Sequence, residues 1–313
     1  MSLETLSSRA IIGMFYHRLE QDPSASWVDP ISMLFSSDQD GEDYQWIGQS
    51  PVMREWIGGR HAKGFINNGI RVENLHFEAT IEILVKDLRR DKTPQVRSRI
   101  QDLATRTNSH WATLLSTLIL NGASQVGYDG QFFFDNDHDE GDSGVQSNLI
   151  EVDISELPAQ LHGSITAPSP EEMQQAILKA VTQIQSFKDD VGEPMNETAE
   201  QFIVKVPTSL VQVAFNALAR PWATAAGEQK PMGLDVTVAQ NPRLSAWTDQ
   251  FAVFRTDGDV KPFIRQEETK VQLSVKAEGS DFEFDNDAHQ YGVDSWRNVG
   301  LGYWQHACLI TMI

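Results

Sequence analysis

Residues 77–122 read FEATIEILVKDLRRDKTPQVRSRIQDLATRTNSHWATLLSTLILNG, a strand pattern that runs into a long helix pattern across a charged bridge. Phe77, Ala79, Ile81, Ile83 and Val85 alternate with Glu78, Thr80, Glu82 and Lys86, the period of two expected of a half-buried strand. Leu84 interrupts the alternation near its end. Thr93 is placed to cap the helix, and Pro94 takes the first helical position, where a missing N–H costs nothing. Val96, Ile100, Leu103, Thr107, Trp111, Leu114 and Leu118 then follow in steps of three and four, a single apolar stripe. Asn121-Gly122 supplies the stop. A rod of this length is roughly 40 Å long at 1.5 Å per residue. That is more natural for a structural spine than for a small enzyme.

The chain has 313 residues, enough for a substantial core in one or two units. Hydrophobic residues make up 40% and there are eight tryptophans, which argues against intrinsic disorder. No apolar run is long enough for a membrane helix, and the start of the chain does not read as a signal peptide, so cytoplasmic synthesis without membrane association is expected. The single cysteine, Cys308, excludes an intrachain disulfide and reads as a small buried residue of a strand. A net charge of −19 argues against general nucleic-acid binding, which wants a basic stripe.

Around the spine, local patterns predict a first helix over 3–21 and then an irregular stretch over 22–50. Its scattered aromatics Trp27, Phe35, Tyr44 and Trp46 suit an arm that anchors on a neighbouring surface. Asn67-Asn68-Gly69 marks a turn between Phe65-Ile66 and Ile70-Arg71-Val72. Arg54, Arg60, His61, Lys63 and Arg71 make this region unusually basic for so acidic a chain. A helix is predicted over 170–187 with Ser169 as cap, a third over 209–219, and strands over 202–204, 234–239 and 251–254. Extended residues dominate 262–313. The elements interleave, so the chain reads as one assembly unit.

The segment Asp135-Asn136-Asp137-His138 invites a metal reading, with Asp135, Asp137 and His138 as ligands of a divalent cation used for hydrolysis. As a calcium loop it fails: Glu140 occupies the position that needs glycine, and Gln146 stands where a bidentate glutamate belongs. Residues 128–134 read as a strand, not as the entering helix. Solvated acidic turns are the favoured reading, with no catalytic residue, no metal and no cofactor expected. Phosphate-binding glycine loops and the nucleophile elbow are absent.

A family resemblance runs through most of the chain. Trp56-Ile57-Gly58-Gly59-Arg60, His76-Phe77-Glu78-Ala79-Thr80, Asp87-Leu88-Arg89-Arg90-Asp91-Lys92 and Asn108-Ser109-His110 resemble the Mu-like bacteriophage major head subunit. Tyr128-Asp129-Gly130-Gln131-Phe132-Phe133, Asp135-Asn136-Asp137-His138, Tyr291-Gly292-Val293-Asp294 and Arg297-Asn298-Val299-Gly300 continue the match in order. The resemblance implies an α+β, HK97-type capsid fold. Its parts would be an N-terminal helix and arm (1–50), an extended hairpin loop (51–92), the spine helix with the first part of a peripheral domain (93–165), an axial domain (166–255) and C-terminal strands completing the peripheral domain (256–313). The loop over 222–231 would point towards a symmetry axis.

It also implies a non-enzymatic protein that forms hexamers and pentamers of itself, closing an icosahedral shell around double-stranded DNA in the virion. Scaffold, portal, maturation protease and a decoration protein are the further partners it implies. Arg54, Arg60, Lys63, Phe65 and Arg71 of the loop, with Trp27, Phe35 and Trp46 of the arm, are the expected inter-subunit contacts. Besides the metal-dependent hydrolase, the competing reading is a cellular nanocompartment shell of the same fold.

Overall fold

The computed structural model describes residues 7–21, 25–44, 69–90, 95–219 and 233–313. In chain order the elements are α1 (Ser8–Gln21), α2 (Val28–Ile31), β1 (Ser32–Ser36), β2 (Gly41–Tyr44), β3 (Ile70–Glu73), β4 (Leu75–Leu84), α3 (Val85–Arg90) and α4 (Gln95–Leu120). There follow β5 (Leu149–Val152), α5 (Pro170–Ser186), β6 (Gln201–Val206), α6 (Val211–Ala219), β7 (Asp235–Gln240) and β8 (Gln250–Arg255). The last are β9 (Phe263–Lys276), α7 (Asp281–Asn286), β10 (Ala288–Leu301) and β11 (Ala307–Met312).

Two sheets carry the fold. The first has the order β1-β9-β10-β4, with β10 antiparallel to both neighbours and β1 parallel to β9. In β9, Val271, Leu273 and Val275 turn inward while Glu268, Lys270, Gln272, Ser274 and Lys276 face solvent, the signature of a sheet covered on one side. The cover is α1 and the first half of α4. Ile11 and Phe15 meet Val96, Ile100, Leu103 and Ala104 over Ile83, Tyr291 and Val293 in a core of their own.

The second sheet has the order β5-β11-β8-β6-β7. Its middle strands β6 and β8 are buried along nearly their whole length, as near-continuous apolar runs should be. Met173, Ile177, Ala180, Val181 and Ile184 of α5 belong to the larger core that this sheet builds. Ser169 opens α5 with a reciprocal cap: its hydroxyl accepts from the Glu172 amide, and the Glu172 carboxylate accepts from the Ser169 amide at 2.7 Å.

The helix α4 belongs to both cores. Beyond Thr107 it enters the larger one through Trp111, Ala112, Leu115, Leu118 and Ile119. The expected stripe is displaced by one residue here: Leu115 is fully buried, and Leu114 only partly. Thr93 and Pro94 lie outside the described residues. The helix ends at Leu120 as expected, but Gly122 is not in a left-handed conformation. It is required for space, since a Cβ there would stand 2.6 Å from the Phe134 ring.

Three expectations need correction. Val85 opens α3 instead of extending the strand, because Leu84-Val85 places two apolar residues in succession and a helical turn buries both Val85 and Leu88. Residues 128–134 form no strand; one isolated bridge joins Val126 to Phe132. The run Ile70-Arg71-Val72 pairs with β2, as Asp43↔Arg71 and Glu42↔Val72, while its expected partner Phe65-Ile66 lies outside the described residues. Finally, β11 joins β5 and β8 in the second sheet, not β9 and β10. Cys308 is buried within β11, where desolvation pushes its thiol up.

Replacement of Leu115 by Ala is expected to lower unfolding stability by about 2–5 kcal/mol, and Leu114→Ala by less than half of that, because only Leu115 leaves a closed cavity. Urea titration of both variants checks the displaced stripe.

Candidate assembly interface

The strands β2 and β3 pair with each other, and buried polar groups fix the pair to the first sheet. Gln266, fully buried in β9, donates to the Val72 carbonyl at 3.1 Å and to Asn74 Oδ1 at 2.8 Å, and accepts from the Tyr44 hydroxyl at 2.8 Å. Asn74 in turn donates to the Gln39 carbonyl at 2.7 Å and to Ser37 Oγ at 3.0 Å. Desolvation, with the Glu42 charge adding to it, pushes the Tyr44 phenol up to about 12, so it remains a donor at physiological pH. Gly300 completes the fit: a Cβ there would lie 2.4 Å from Val72 Cγ2. Nothing in the local sequence pattern marks Gln266 or Asn74 as anchors, since their partners lie up to 222 positions away.

The expected contact residues separate. Arg71 is exposed on β3 and pairs with Asp43 at 3.3 Å and Glu73 at 3.7 Å, an exposed network of small energetic worth. Phe35 is half-buried and packs its ring on Tyr44 at 5.5 Å. Trp27 is not available to a neighbour: it is buried in the larger core of its own chain, with Lys205 Nζ 3.7 Å above its ring. The physical reason is α2, one turn that folds Trp27, Val28 and Ile31 inward together. Arg54, Arg60, Lys63, Phe65 and Trp46 lie outside the described residues, as does the loop over 222–231.

Lys205 escaped the sequence reading. It is fully buried in β6, and its ammonium has no hydrogen-bond partner among the described residues. Burial pulls its pKa down to about 7.

The acidic loop does not assemble its proposed ligands. His138 is fully buried, stacked on Trp304 at 3.8 Å between centroids. Its Nδ1 lies 2.5 Å from Asp129 Oδ2 and its Nε2 3.3 Å from Asn148 Oδ1, so both ring nitrogens already face oxygen atoms. Asp135 accepts from the Phe132 and Asn136 amides, closing turns, and Asp137 is exposed. Among the described residues no group of three His, Cys, Asp or Glu is placed to hold a metal ion. The loop is a fastener, with Asn148 bonding the Phe133 carbonyl at 2.7 Å and the Trp304 carbonyl at 3.3 Å.

The profile of the family described as Mu-like prophage major head subunit gpT matches residues 9–158 and 233–311. The chain belongs to this family. The major capsid protein of Escherichia phage Mu is 30% identical over 164 residues, covering 50% of this chain and 53% of that one. The Mu-like prophage FluMu major head subunit of Haemophilus influenzae is 29% identical over 111 residues, covering 36% of each. The aligned stretches thus span about half or less of these curated relatives. Among solved structures, the procapsid of bacteriophage JBD30 aligns with a TM-score of 0.56 at 21% identity over 97% of this chain and 74% of that one. The chain therefore has the α+β, HK97-type capsid fold, with the β2–β3 pair, α4 and two sheets as its frame.

Two outcomes follow from these sites. Because the unfolded state holds a proton on Lys205 up to about pH 10.4 and the folded state only to about pH 7, stability rises with pH between those values through this residue. Lys205→Met should raise the melting temperature most below pH 7 and flatten the rise towards pH 10, as read by calorimetry across that range. His138→Ala should cost about 2–4 kcal/mol through its lost stack and hydrogen bonds, while the exposed Asp137→Asn stays within about 0.5 kcal/mol. Denaturant midpoints of the two variants separate a fastener from a pair of equivalent ligands.

Proposed function

We propose that this chain is the major subunit of a Mu-like phage head, a non-enzymatic protein that self-assembles into the icosahedral shell enclosing double-stranded DNA. The observation that carries the reading is the family match, which takes in the first sheet, the spine helix and strands β5, β7, β8 and β11 of the second sheet. In this reading the first sheet with α1 and α4 forms the peripheral part of the subunit. The second sheet with α5 and α6 forms the axial part, completed by β5 and β11.

The mechanism is geometric. A stiff helix shared by two cores keeps both parts in one orientation, so that contacts made at either end of the subunit act on the same rigid body. The net charge of −19 suits a container that must not adhere to the nucleic acid within it. The basic loop carrying Arg54, Arg60, Lys63, Phe65 and Arg71 reaches an acidic surface of the next subunit, and its fixed base at Gln266 sets the direction of reach. Hexamers and pentamers of this chain are the assembly units. A scaffold, a portal, a maturation protease and a decoration protein are its partners in the host cytoplasm, and the virion is its destination.

Expression of the chain with its phage assembly partners, followed by negative-stain electron microscopy and mass spectrometry of the particle fraction, tests the proposal. Uniform icosahedral shells made chiefly of this chain are expected. The triple variant Arg60→Glu, Lys63→Glu, Arg71→Glu should keep the fold of the subunit and lose the shells. A chain absent from every particle fraction overturns the head-subunit reading.

A further inference from the structure

The most exposed large apolar side chain among the described residues is Phe284, at 92% of its full accessibility. It does not sit on a loose loop. Its helix α7 is capped by Ser280, whose hydroxyl accepts from the Glu283 amide at 3.2 Å, and the Glu283 carboxylate accepts from the Gly279 amide at 2.7 Å. The other oxygen of that carboxylate lies 3.0 Å from His289 Nε2, on the following strand. The left-handed Asp287 then turns the chain into β10, and its carbonyl accepts from the Val85 amide at 2.9 Å. A phenyl ring is thus held out into water on a braced support, a preorganised contact.

Around it stand Asp281, Asp285 and Asp287, all exposed and without an ion-pair partner among the described residues. The bond from Val85 to Asp287 places α3 at the same end of the sheet. There the charge is mainly opposite: Lys86, Arg89 and Arg90 on α3 and Arg97 and Arg99 on the first turns of α4 are exposed, against the one exposed acid Asp87 on α3, and none of these cations forms an ion pair among the described residues. An acidic knob with an aromatic tip and a basic face therefore lie side by side, with no ion pair between them among the described residues. Two complementary but different patches on one chain are the requirement for a head-to-tail contact between copies, which closes into a ring where the rotation permits.

We propose that Phe284 and its flanking aspartates seat on the α3–α4 basic face of a second copy of this chain, forming a contact separate from the one made by the 45–69 loop. The proposal rests on the head-subunit reading above and names one of its interfaces. An aromatic anchor ringed by charge gives both the desolvated centre and the orientation such a contact needs.

The test is charge exchange in the whole chain, with assembly read by sedimentation and electron microscopy. Asp281→Arg with Asp285→Arg, and separately Arg89→Asp with Arg90→Asp, should each reduce assembled particles at least tenfold. Combining all four changes should restore them to within about threefold of the parent. As a measurement independent of folding yield, Phe284→Cys with Arg90→Cys should give a ladder of disulfide-linked copies on mild oxidation of particles, and either change alone should give none. Cys308 is buried and does not compete.

Particles that form normally in both charge variants, or no ladder from the paired cysteines, overturn this contact while leaving the head-subunit reading intact. A crosslink to a protein other than this chain also overturns it. A parent chain that builds no particles with its assembly partners overturns both.

Discussion

Everything in this subunit is positioned by the docking of one helix against two cores. The pivot of that docking is Trp111, whose ring centroid lies 4.9 Å from the guanidinium group of Arg297 and 5.6 Å from that of Arg265. Arg297 also donates to the Thr107 carbonyl at 3.2 Å, and Arg265 to Asp29 at 2.6 Å. Burial draws the Arg297 pKa down to about 10, with the Glu267 charge working against it, so the group stays cationic under ordinary conditions. Desolvated cation–π contacts of this kind are worth about 2 kcal/mol each. Their larger effect is on specificity, since the helix can neither rotate nor slide without leaving buried charge uncompensated. Apolar burial on either side of the pivot, at about 1.5–3 kcal/mol per large side chain, supplies most of the stabilisation.

The same division between apolar stabilisation and polar direction recurs elsewhere. Gln266, Tyr44 and Asn74 form a buried network behind the β2–β3 pair, and Asn148 joins His138, Asp129 and the Trp304 carbonyl in another beneath the acidic loop. A third links Arg255 to Asp257 at 2.6 Å and to Asn196 at 2.9 Å, while Asn196 bonds the Gln305 carbonyl at 2.8 Å. Each network joins segments far apart in the chain. Fully satisfied networks rigidify, and half-satisfied ones are costly, so they select one arrangement of loops over others of similar hydrophobic content.

What was legible in the sequence follows the range of the interaction involved. The cap at Ser169 and the strand pattern over 77–83 are set by neighbours within a few residues and read correctly, and the stripe of α4 did so except where Leu115 takes the place of Leu114. Val85 was misread because a strand and a helical start share the same apolar pair, and packing of Leu88 decided between them. Trp27 suited an anchoring arm until α2 turned it inward, a choice made by residues as distant as Lys205. The sheet chosen by β11 and the role of Gln266 were invisible, since both depend on register across more than a hundred residues. α7 was missed because six residues of mixed acid and aromatic carry neither period.

The pairings 75–84 with 288–301 and 149–152 with 307–312 have a consequence for synthesis. A chain still on the ribosome at residue 250 has the long helix and several strands, but neither sheet can close. Contacts of such sequence separation form late and slowly. A polypeptide released there lacks β9 and β10 of the first sheet and β8 and β11 of the second, and can complete neither core. Closure of both sheets therefore waits on the last strands to leave the exit tunnel, β10 for the first and β11 for the second.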